Sequence, residues 1–460
     1  MRVLDAVAGR AEAGVTVTRA RRGLTRFANS FIHQNVVDEH VEVSLELTSS
    51  GRTAAASTFR VDDDALVSLV ERTLRAASLR PAGPGWPGLS SPSPLCASED
   101  VHYDAATAAA GPRERAEAVA AFVAAGGGAL AAGFCETAEA EHLFANSAGQ
   151  RASSRDTSAA LDAIHRVDGS DGVASTYSAR FADVDAAALG AAAAERARRG
   201  ARPMELTAGG YEVVLEPRCV AYMMDFFTFY AFNGKAMNEG RSFISTGEGQ
   251  FDPTLTIWDD ATDARHVGPA FDAEGTPKRP FQLVEAGTVR GVCHDRRTAA
   301  RASSPAATTG HAVPSGEAFG AVATNLFIGA SASTGSRSTG RSGAGSRGAG
   351  SAGQPPSALV SAVERGLLVS DFWYTRVLDP KTLVVTGLTR NGVFLIERGE
   401  VRGAVGNLRF TQSYAAALAP GRVLGVGDDG RLAPGGLHRS LHHAPSLHLA
   451  GWNFTGGASG

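Results

Sequence analysis

The alternation of apolar and polar residues predicts strands followed by a helix at the start of the chain. Residues 42–47 (EVSLEL) alternate with a period of two, and the turn-forming TSSG of residues 48–51 follows them. Beyond that turn the apolar residues recur at helical spacing, and Asp62 or Asp63 stands where a helix cap is needed. We therefore predict an α+β domain over residues 1–79.

The same order of elements occurs a second time. The tetrapeptide FANS stands at residues 27–30 and again at residues 144–147. Each copy precedes an extended segment, a glycine-containing turn, a further strand and a helix that begins at an aspartate. A four-residue match alone could arise by chance, but the shared order favours an internal duplication. The second α+β domain covers residues 112–204, and the Pro/Gly-rich residues 80–111 have the composition of a linker.

The remaining residues, 205–460, predict a β-rich domain. Asn391 and Gly392 have the positive-φ preference of a two-residue hairpin turn, and residues 398–399 supply another turn. The segment around them therefore predicts a three-stranded meander, and we expect a barrel or a two-layer sheet. Residues 331–357 contain no apolar side chain larger than alanine, so they predict a disordered insertion.

Composition excludes several classes of protein. The chain has 460 residues, of which 43% are hydrophobic and 20% charged, and a formal net charge of -3. No global positive charge attracts it to nucleic acid or to anionic lipid, and no apolar run is long enough to span a membrane. The sequence lacks a secretory signal, and its four cysteines lie far apart without paired spacing. We expect a cytoplasmic protein with reduced thiols and no membrane partner.

The segment VAYMMDFFTFYAFNG, residues 220–234, is the most apolar part of the chain. It is apolar on nearly every side, so it predicts a buried helix that ends near Asn233 and Gly234. Asp225 stands in its middle. A buried carboxylate must find hydrogen-bond donors or become protonated, so Asp225 is either a satisfied structural acid or part of a site.

Histidines near the C-terminus offer an alternative site. His438 and His442 are four residues apart, and on a helix they would share one face and could bind a metal. A hydrolase with a metal site there is therefore a second hypothesis. Glycines 435–436 and Pro445 disfavour a helix, and no acid in the segment is available as a general base.

The chain resembles the TldD/TldE (PmbA) family over nearly its whole length. Five segments carry the resemblance: GLTRFANSFIHQNV, FANSAGQRASSRDTSA, YEVVLEP, GLLVSDFWYTRVLDPKT and TGLTRNGVFLIERGEVRGAVGNLRF. The resemblance implies a zinc metallopeptidase family whose catalytic subunit, TldD, carries H-E-x-x-x-H on a helix after the YEVVLEP-like strand. Histidines five apart on a regular helix lie about 140° apart, so that helix must bend or distort.

In this chain the motif falls on Asp225, Phe226 and Tyr230, which are degenerate active-site positions. Phenylalanine cannot act as a base, and a phenol with a pKa near ~10 is a poor zinc ligand. The resemblance therefore implies a TldE-type pseudo-enzyme with no catalytic residue, metal ligand or cofactor of its own. Zinc is expected in a TldD-type partner, and the complex would cleave peptides or partly unfolded chains. A third hypothesis, a nucleic-acid-associated module of the gyrase-modulator kind, is disfavoured by the mild acidity.

Overall fold

The computed structural model describes residues 2–83, 86–304, 306–314, 316–331, 353–436 and 440–457. It has helices and strands in both halves of the chain, with sheets throughout, so the predicted α+β class is confirmed. Elements of the N-terminal half are α1 (Arg2–Val7), β1 (Glu12–Ala28), β2 (Phe31–Ser49), β3 (Arg52–Thr58), α2 (Asp63–Ser78), α3 (Ala105–Ala109), α4 (Pro112–Ala125), β4 (Leu130–Asn146), β5 (Arg151–Val167), β6 (Ser170–Ser178), a 3₁₀ turn (Phe181–Asp183) and α5 (Ala186–Gly200).

The two repeats form one antiparallel sheet, in the order β3-β2-β1-β4-β5-β6. Strands β1 and β4 pair at its centre, and the two FANS serines make the same contacts there. Ser30 N donates to Ala131 O at 2.9 Å and Ser147 N donates to Ala13 O at 2.9 Å. In return the amides of both alanines donate to the serine hydroxyls at 3.0 Å. These reciprocal contacts support the predicted duplication.

The helices of each repeat begin as the sequence predicts. Asp62 caps α2, because its carboxylate accepts from Ala65 N at 3.0 Å, and Asp185 caps α5 by accepting from Ala188 N at 2.9 Å. A side-chain acceptor at this position satisfies one of the free N–H groups of the first turn. The apolar face of α2 is then held against its own repeat by Leu69.

The C-terminal half continues the chain with further strands and short helices. They are β7 (Gly209–Leu215), α6 (Pro217–Phe226), a π-helical turn (Phe227–Ala231), α7 (Gly234–Asn238), β8 (Leu255–Asp259), β9 (Phe281–Glu285), β10 (Thr288–Val289), α8 (Arg296–Ala300), α9 (Gly316–Phe319), β11 (Leu326–Ala330), α10 (Pro356–Ser361), β12 (Arg365–Asp379), β13 (Val384–Glu397), β14 (Glu400–Ala404), β15 (Leu408–Ser413), α11 (Tyr414–Ala417), β16 (Val423–Val426), β17 (Arg431–Pro434), β18 (Leu441–Ala444) and β19 (Leu447–Gly457).

Two sheets enclose the largest core. Strands β12, β7, β19, β15 and β13 follow one another, and β13 pairs back with β12, which closes a barrel. The second sheet has the order β10-β9-β8-β11-β18-β17. Helix α6 packs against β12 of the barrel and against β17 and β18 of the second sheet. It therefore lies between the two, in the apolar cluster that both supply.

One predicted turn is wrong. Asn391 and Gly392 have the expected positive φ values, 57° and 136°, but β13 runs through them without turning back. They form an irregularity where the β12–β13 register shifts between Val369 and Asp371. Residues with positive φ occur in β-bulges as well as in hairpin turns. Here the long partner strand β12 keeps β13 extended. The turn at Arg398, between β13 and β14, is confirmed.

Most of the predicted insertion, residues 332–352, lies outside the described residues. Its last part is described, and there Gln354 N donates to Val426 O at 2.8 Å and α10 begins at Pro356. Residues 353–357, which the prediction placed in the insertion, are thus among the described residues. None of the helices in the described residues combines the length and the apolar character that a membrane crossing requires.

Candidate functional site

Helix α6 is positioned by buried charges at its start. Pro217 occupies the first helical position, where a backbone N–H would have no partner within the helix, so proline loses no hydrogen bond there. The next residue, Arg218, donates from Nη1 to Asp162 of β5 at 2.8 Å, and its Nε lies 3.3 Å from Asp371 of β12. Burial raises the pKa of Asp371. Arg218 therefore joins the repeat sheet, the helix and the barrel at one point.

The helix changes its winding inside the segment that the sequence singled out. The α-helical part ends at Phe226, and the π-helical turn follows, with Phe232 N donating to Phe227 O at 2.8 Å. A hydrogen bond spanning five residues widens the turn, which brings residues five apart closer to one side than a regular helix does. This is the distortion that the spacing of Asp225 and Tyr230 requires. The winding ends at Ala231 with Phe232 as its C-cap, and Asn233 is extended, in agreement with the predicted end near Asn233.

At the degenerate positions, Phe226 is a packing residue. It is fully buried, its ring is stacked on Tyr230 with centroids 6.2 Å apart, and it meets Tyr414 edge-on at 5.6 Å. Such pairs add to the apolar burial of each ring. Burial also raises the pKa of Tyr230, so its phenolate is harder to form and its value as a metal ligand is lower.

Asp225 is fully buried and has found polar partners. Ser440 Oγ donates to Asp225 Oδ1 at 2.6 Å, and His442 Nε2 lies 3.2 Å from the same oxygen. Two of the predicted positions, 217 residues apart in sequence, therefore meet in one place. The residue types are those of a nucleophile relay, but the acid stands between the serine and the histidine. Ser440 thus faces a carboxylate, and among the described residues no imidazole is placed to take its proton.

The chain approaching β18 closes tightly over this acid. A methyl group on Gly435 would come within 2.6 Å of the Asp225 carboxyl carbon, and one on Gly436 within 2.2 Å of the Tyr222 ring. Both glycines are therefore required by close approach. The two cavities described on the surface, of about 630 and 430 Å³, are lined by other residues, around Phe144 and around Lys235 respectively.

The residues at this position do not fit a zinc ion. A zinc site takes three or four protein ligands. Here Asp225 and His442 bind each other, Phe226 has no donor atom, and Tyr230 is stacked on Phe226. Across the described residues, no cluster of three or more His, Cys, Asp or Glu side chains is arranged to hold a metal. His442 lies on strand β18, so the helical spacing to His438 does not apply, and His438 itself lies outside the described residues.

A second buried polar cluster was not predicted. It contains Cys293, Asp259 and His311, and His311 Nε2 lies 3.2 Å from Asp259 Oδ1. All three residues are buried, and Lys278 and His266 surround them. Burial acts to lower the pKa of His311, but Cys293 and Asp259 outweigh it and raise the pKa to about 10. The cluster ties loops of the second sheet together and is closed to solvent.

Replacing His311 with glutamine is expected to remove a pH dependence of stability. The pKa of His311 is raised above its usual value, so the stabilisation is complete below about pH 6.5 and is lost as pH rises to about 10. Urea unfolding across that window should show a falling free energy in the parent protein and a flatter profile in His311→Gln. His40→Gln, which changes a far more exposed histidine paired with Asp38, should keep the parent profile.

Comparisons with known proteins agree with this architecture. A family model described as the PmbA/TldA metallopeptidase C-terminal domain matches residues 208–456, more than half of the chain. This match covers enough of the chain to assign the protein to a family. It belongs to the PmbA/TldD family. Among curated proteins, no sequence matches it.

Solved structures share the whole fold at low sequence identity. TldE from Thermococcus kodakarensis superposes with a TM-score of 0.81 at 16% identity, covering 97% of each chain. A proposed modulator of DNA gyrase from Thermotoga maritima superposes with a TM-score of 0.78 at 14% identity, covering 97% of this chain and 96% of that one. Another proposed gyrase modulator, from Bacteroides thetaiotaomicron, superposes with a TM-score of 0.78 at 18% identity, covering 99% of this chain and 97% of that one. At these identities the likeness establishes the fold.

Proposed function

We propose that this chain is the non-catalytic, TldE/PmbA-like subunit of a TldD/TldE-type zinc metallopeptidase. A TldD-type partner supplies the zinc and the catalytic residues, and the complex cleaves peptides or partly unfolded chains. The observation that carries the proposal is Phe226, a fully buried phenylalanine at the position of the catalytic glutamate. Peptide hydrolysis on zinc needs a base to take a proton from the metal-bound water, and a benzyl side chain cannot take one.

The neighbouring contacts support the same proposal. Asp225 is bonded to Ser440 and His442, and the Phe226 ring fills the space between Tyr230 and Tyr414. Aromatic packing and one buried polar contact thus occupy the region in which a peptidase of this family would hold its metal. The π-helical turn remains in this chain as part of the core, and its side chains are largely buried.

An exposed aromatic patch on the barrel is a candidate contact for the partner. Trp373 and Tyr374 of β12 are 49% and 62% exposed, and Tyr374 has a φ of +51°, which is strained for a large side chain. Guanidinium groups lie over both rings, with Arg390 4.4 Å from Trp373 and Arg376 4.5 Å from Tyr374. Trp, Tyr and Arg are the residue types enriched in protein interfaces.

Coexpression with a TldD-type chain tests the proposal. The purified pair should cleave an unstructured peptide, and the activity should disappear when this chain is omitted or when zinc is chelated. This chain alone should show no cleavage. Trp373→Ala should reduce copurification with the partner, and Phe319→Ala, which changes a residue of 54% exposure elsewhere in the β-rich half, should leave it unchanged. Cleavage by this chain alone would favour the hydrolase hypothesis, and strongly salt-dependent DNA binding would favour the nucleic-acid hypothesis.

A further inference from the structure

Strand β2 has a long free edge. Along its whole length it pairs with β1, but β3 covers only residues 43–49 on its other side. Within the described residues, no strand pairs with the outer edge of residues 31–42. Residues 31–39 are exposed on both faces of the sheet. A row of backbone N–H and C=O groups is thus presented to solvent, which is the geometry that accepts a further strand.

Most of the exposed large apolar side chains of the repeat region lie at this edge. Six of them lie on residues 31–37 or on the segment that follows β3: Phe31 (58% exposed), Ile32 (39%), Val36 (42%), Val37 (45%), Phe59 (64%) and Val61 (53%). Residues 31–42 contain no lysine and no proline, the residues with which proteins often protect an open edge. A concentration of apolar surface beside unpaired backbone indicates an interface.

The second repeat shows how this fold covers the equivalent edge. Strand β5 likewise extends beyond β6, which pairs only with residues 159–167. The chain's own segment preceding α3 runs along the exposed part. Arg155 N donates to Glu99 O at 3.0 Å and Thr157 N donates to His102 O at 2.9 Å. An extended polypeptide thus completes the sheet in the second repeat, and no described segment does so in the first.

We propose that a second copy of this chain covers the free edge, with β2 pairing antiparallel to β2 about a twofold axis at Val36. In this register Val36 faces Val36, and Phe31 faces Val41 of the other copy. His33 faces Glu39, and Gln34 faces Asp38. Val36 and Phe31 thus meet apolar residues, whereas Ile32 faces His40 and Val37 faces Asn35. No two acids oppose each other, so charge does not disfavour the pairing. The same patch on both copies gives a closed, symmetric dimer.

The direction of the backbone groups makes the proposal specific. Ser49 and Arg52 flank the two-residue turn to β3, so odd-numbered residues of β2 from Asn35 onward, beyond the register shift at His33, direct their N–H groups toward the outer edge. Val37 N–H therefore faces the second copy, and Val36 N–H faces β1. A proline at residue 37 removes a donor that the isolated chain does not use, so the fold should tolerate it at this edge.

Light scattering after size exclusion, over a range of protein concentrations, tests the dimer. The parent chain should show the mass of two copies. Val37→Pro should raise the dissociation constant of the dimer by at least about tenfold, and the thermal unfolding of the monomer should not change. His33→Glu should weaken the dimer by placing two acids opposite each other, and His33→Glu combined with Glu39→Lys should restore it. Val67→Lys is the control: it changes an exposed residue of α2, away from the edge, and should leave the dimer intact.

The outcomes separate cleanly. Dimer loss in Val37→Pro and His33→Glu together with rescue in the double variant supports the β2 pairing. A parent chain that remains monomeric at every concentration overturns it, and so does a dimer that both single variants leave unchanged. The inference does not depend on the proposed peptidase role, since β2 lies in the repeat region, whereas Trp373 lies on the barrel.

Discussion

Replacing Phe226 with glutamate is expected to destabilise the protein by more than about 3 kcal/mol and to produce no peptidase activity. The substitution restores the residue type that a zinc peptidase uses as its base. However, the side chain at residue 226 is fully buried between the rings of Tyr230 and Tyr414, so a carboxylate placed there would lose its solvation. Chemical unfolding with and without added zinc measures the stability, and a peptide-cleavage assay measures the activity.

Phe226→Leu is the matched control. It keeps an apolar side chain and loses only volume, so a loss of about 1–2 kcal/mol is expected. The difference between the two variants isolates the cost of the charge. A Phe226→Glu protein that is as stable as Phe226→Leu, or that gains stability from zinc, would show that the site still has room for metal chemistry.

Replacing Arg218 with methionine should cost about 3–5 kcal/mol of unfolding free energy. Asp371 and Asp162 would then be left buried without their cation, since Arg218 contacts both, at 3.3 and 2.8 Å. Asp371 keeps only the hydrogen bond that Asn391 donates to its other oxygen at 2.9 Å. Because the three charges join β5, α6 and β12, the loss should appear in the cooperative unfolding of both halves of the chain.

An exposed arginine provides the comparison for Arg218. Arg113 pairs with Glu117 on the surface of α4, where both side chains are largely in solvent, so Arg113→Met should have little effect. Adding Asp371→Asn to Arg218→Met should recover part of the lost stability, because it removes one of the two uncompensated acids. Equal stability of the Arg218 and Arg113 variants would refute the role given to the buried cluster.

The sequence predicted the parts of the fold that depend on local signals. The FANS repeat and the aspartate caps Asp62 and Asp185 identify the duplicated unit, because capping and strand alternation act over a few residues. The lack of a proton-accepting group at residue 226 likewise follows from the sequence alone. A phenylalanine at that position excludes base chemistry whatever surrounds it.

Features set by distant contacts could not be predicted in the same way. The partner of Asp225, His442, is brought by strand β18, and nothing near residue 225 in the sequence specifies it. The bulge at Asn391 has the residue types of a hairpin, and only the long β12 partner decides between the two. The π-helical turn also depends on packing, since the apolar run 220–234 is compatible with a regular helix.

The metal content of the isolated chain tests the account most directly. The protein would be purified without its partner, incubated with excess zinc, desalted, and measured by elemental analysis beside Asp225→Asn and His442→Gln. The account predicts less than about one-tenth of an ion per chain for all three proteins, because the described residues of the site do not supply the three ligands that zinc requires. One zinc ion per parent chain, lost in both variants, would contradict it.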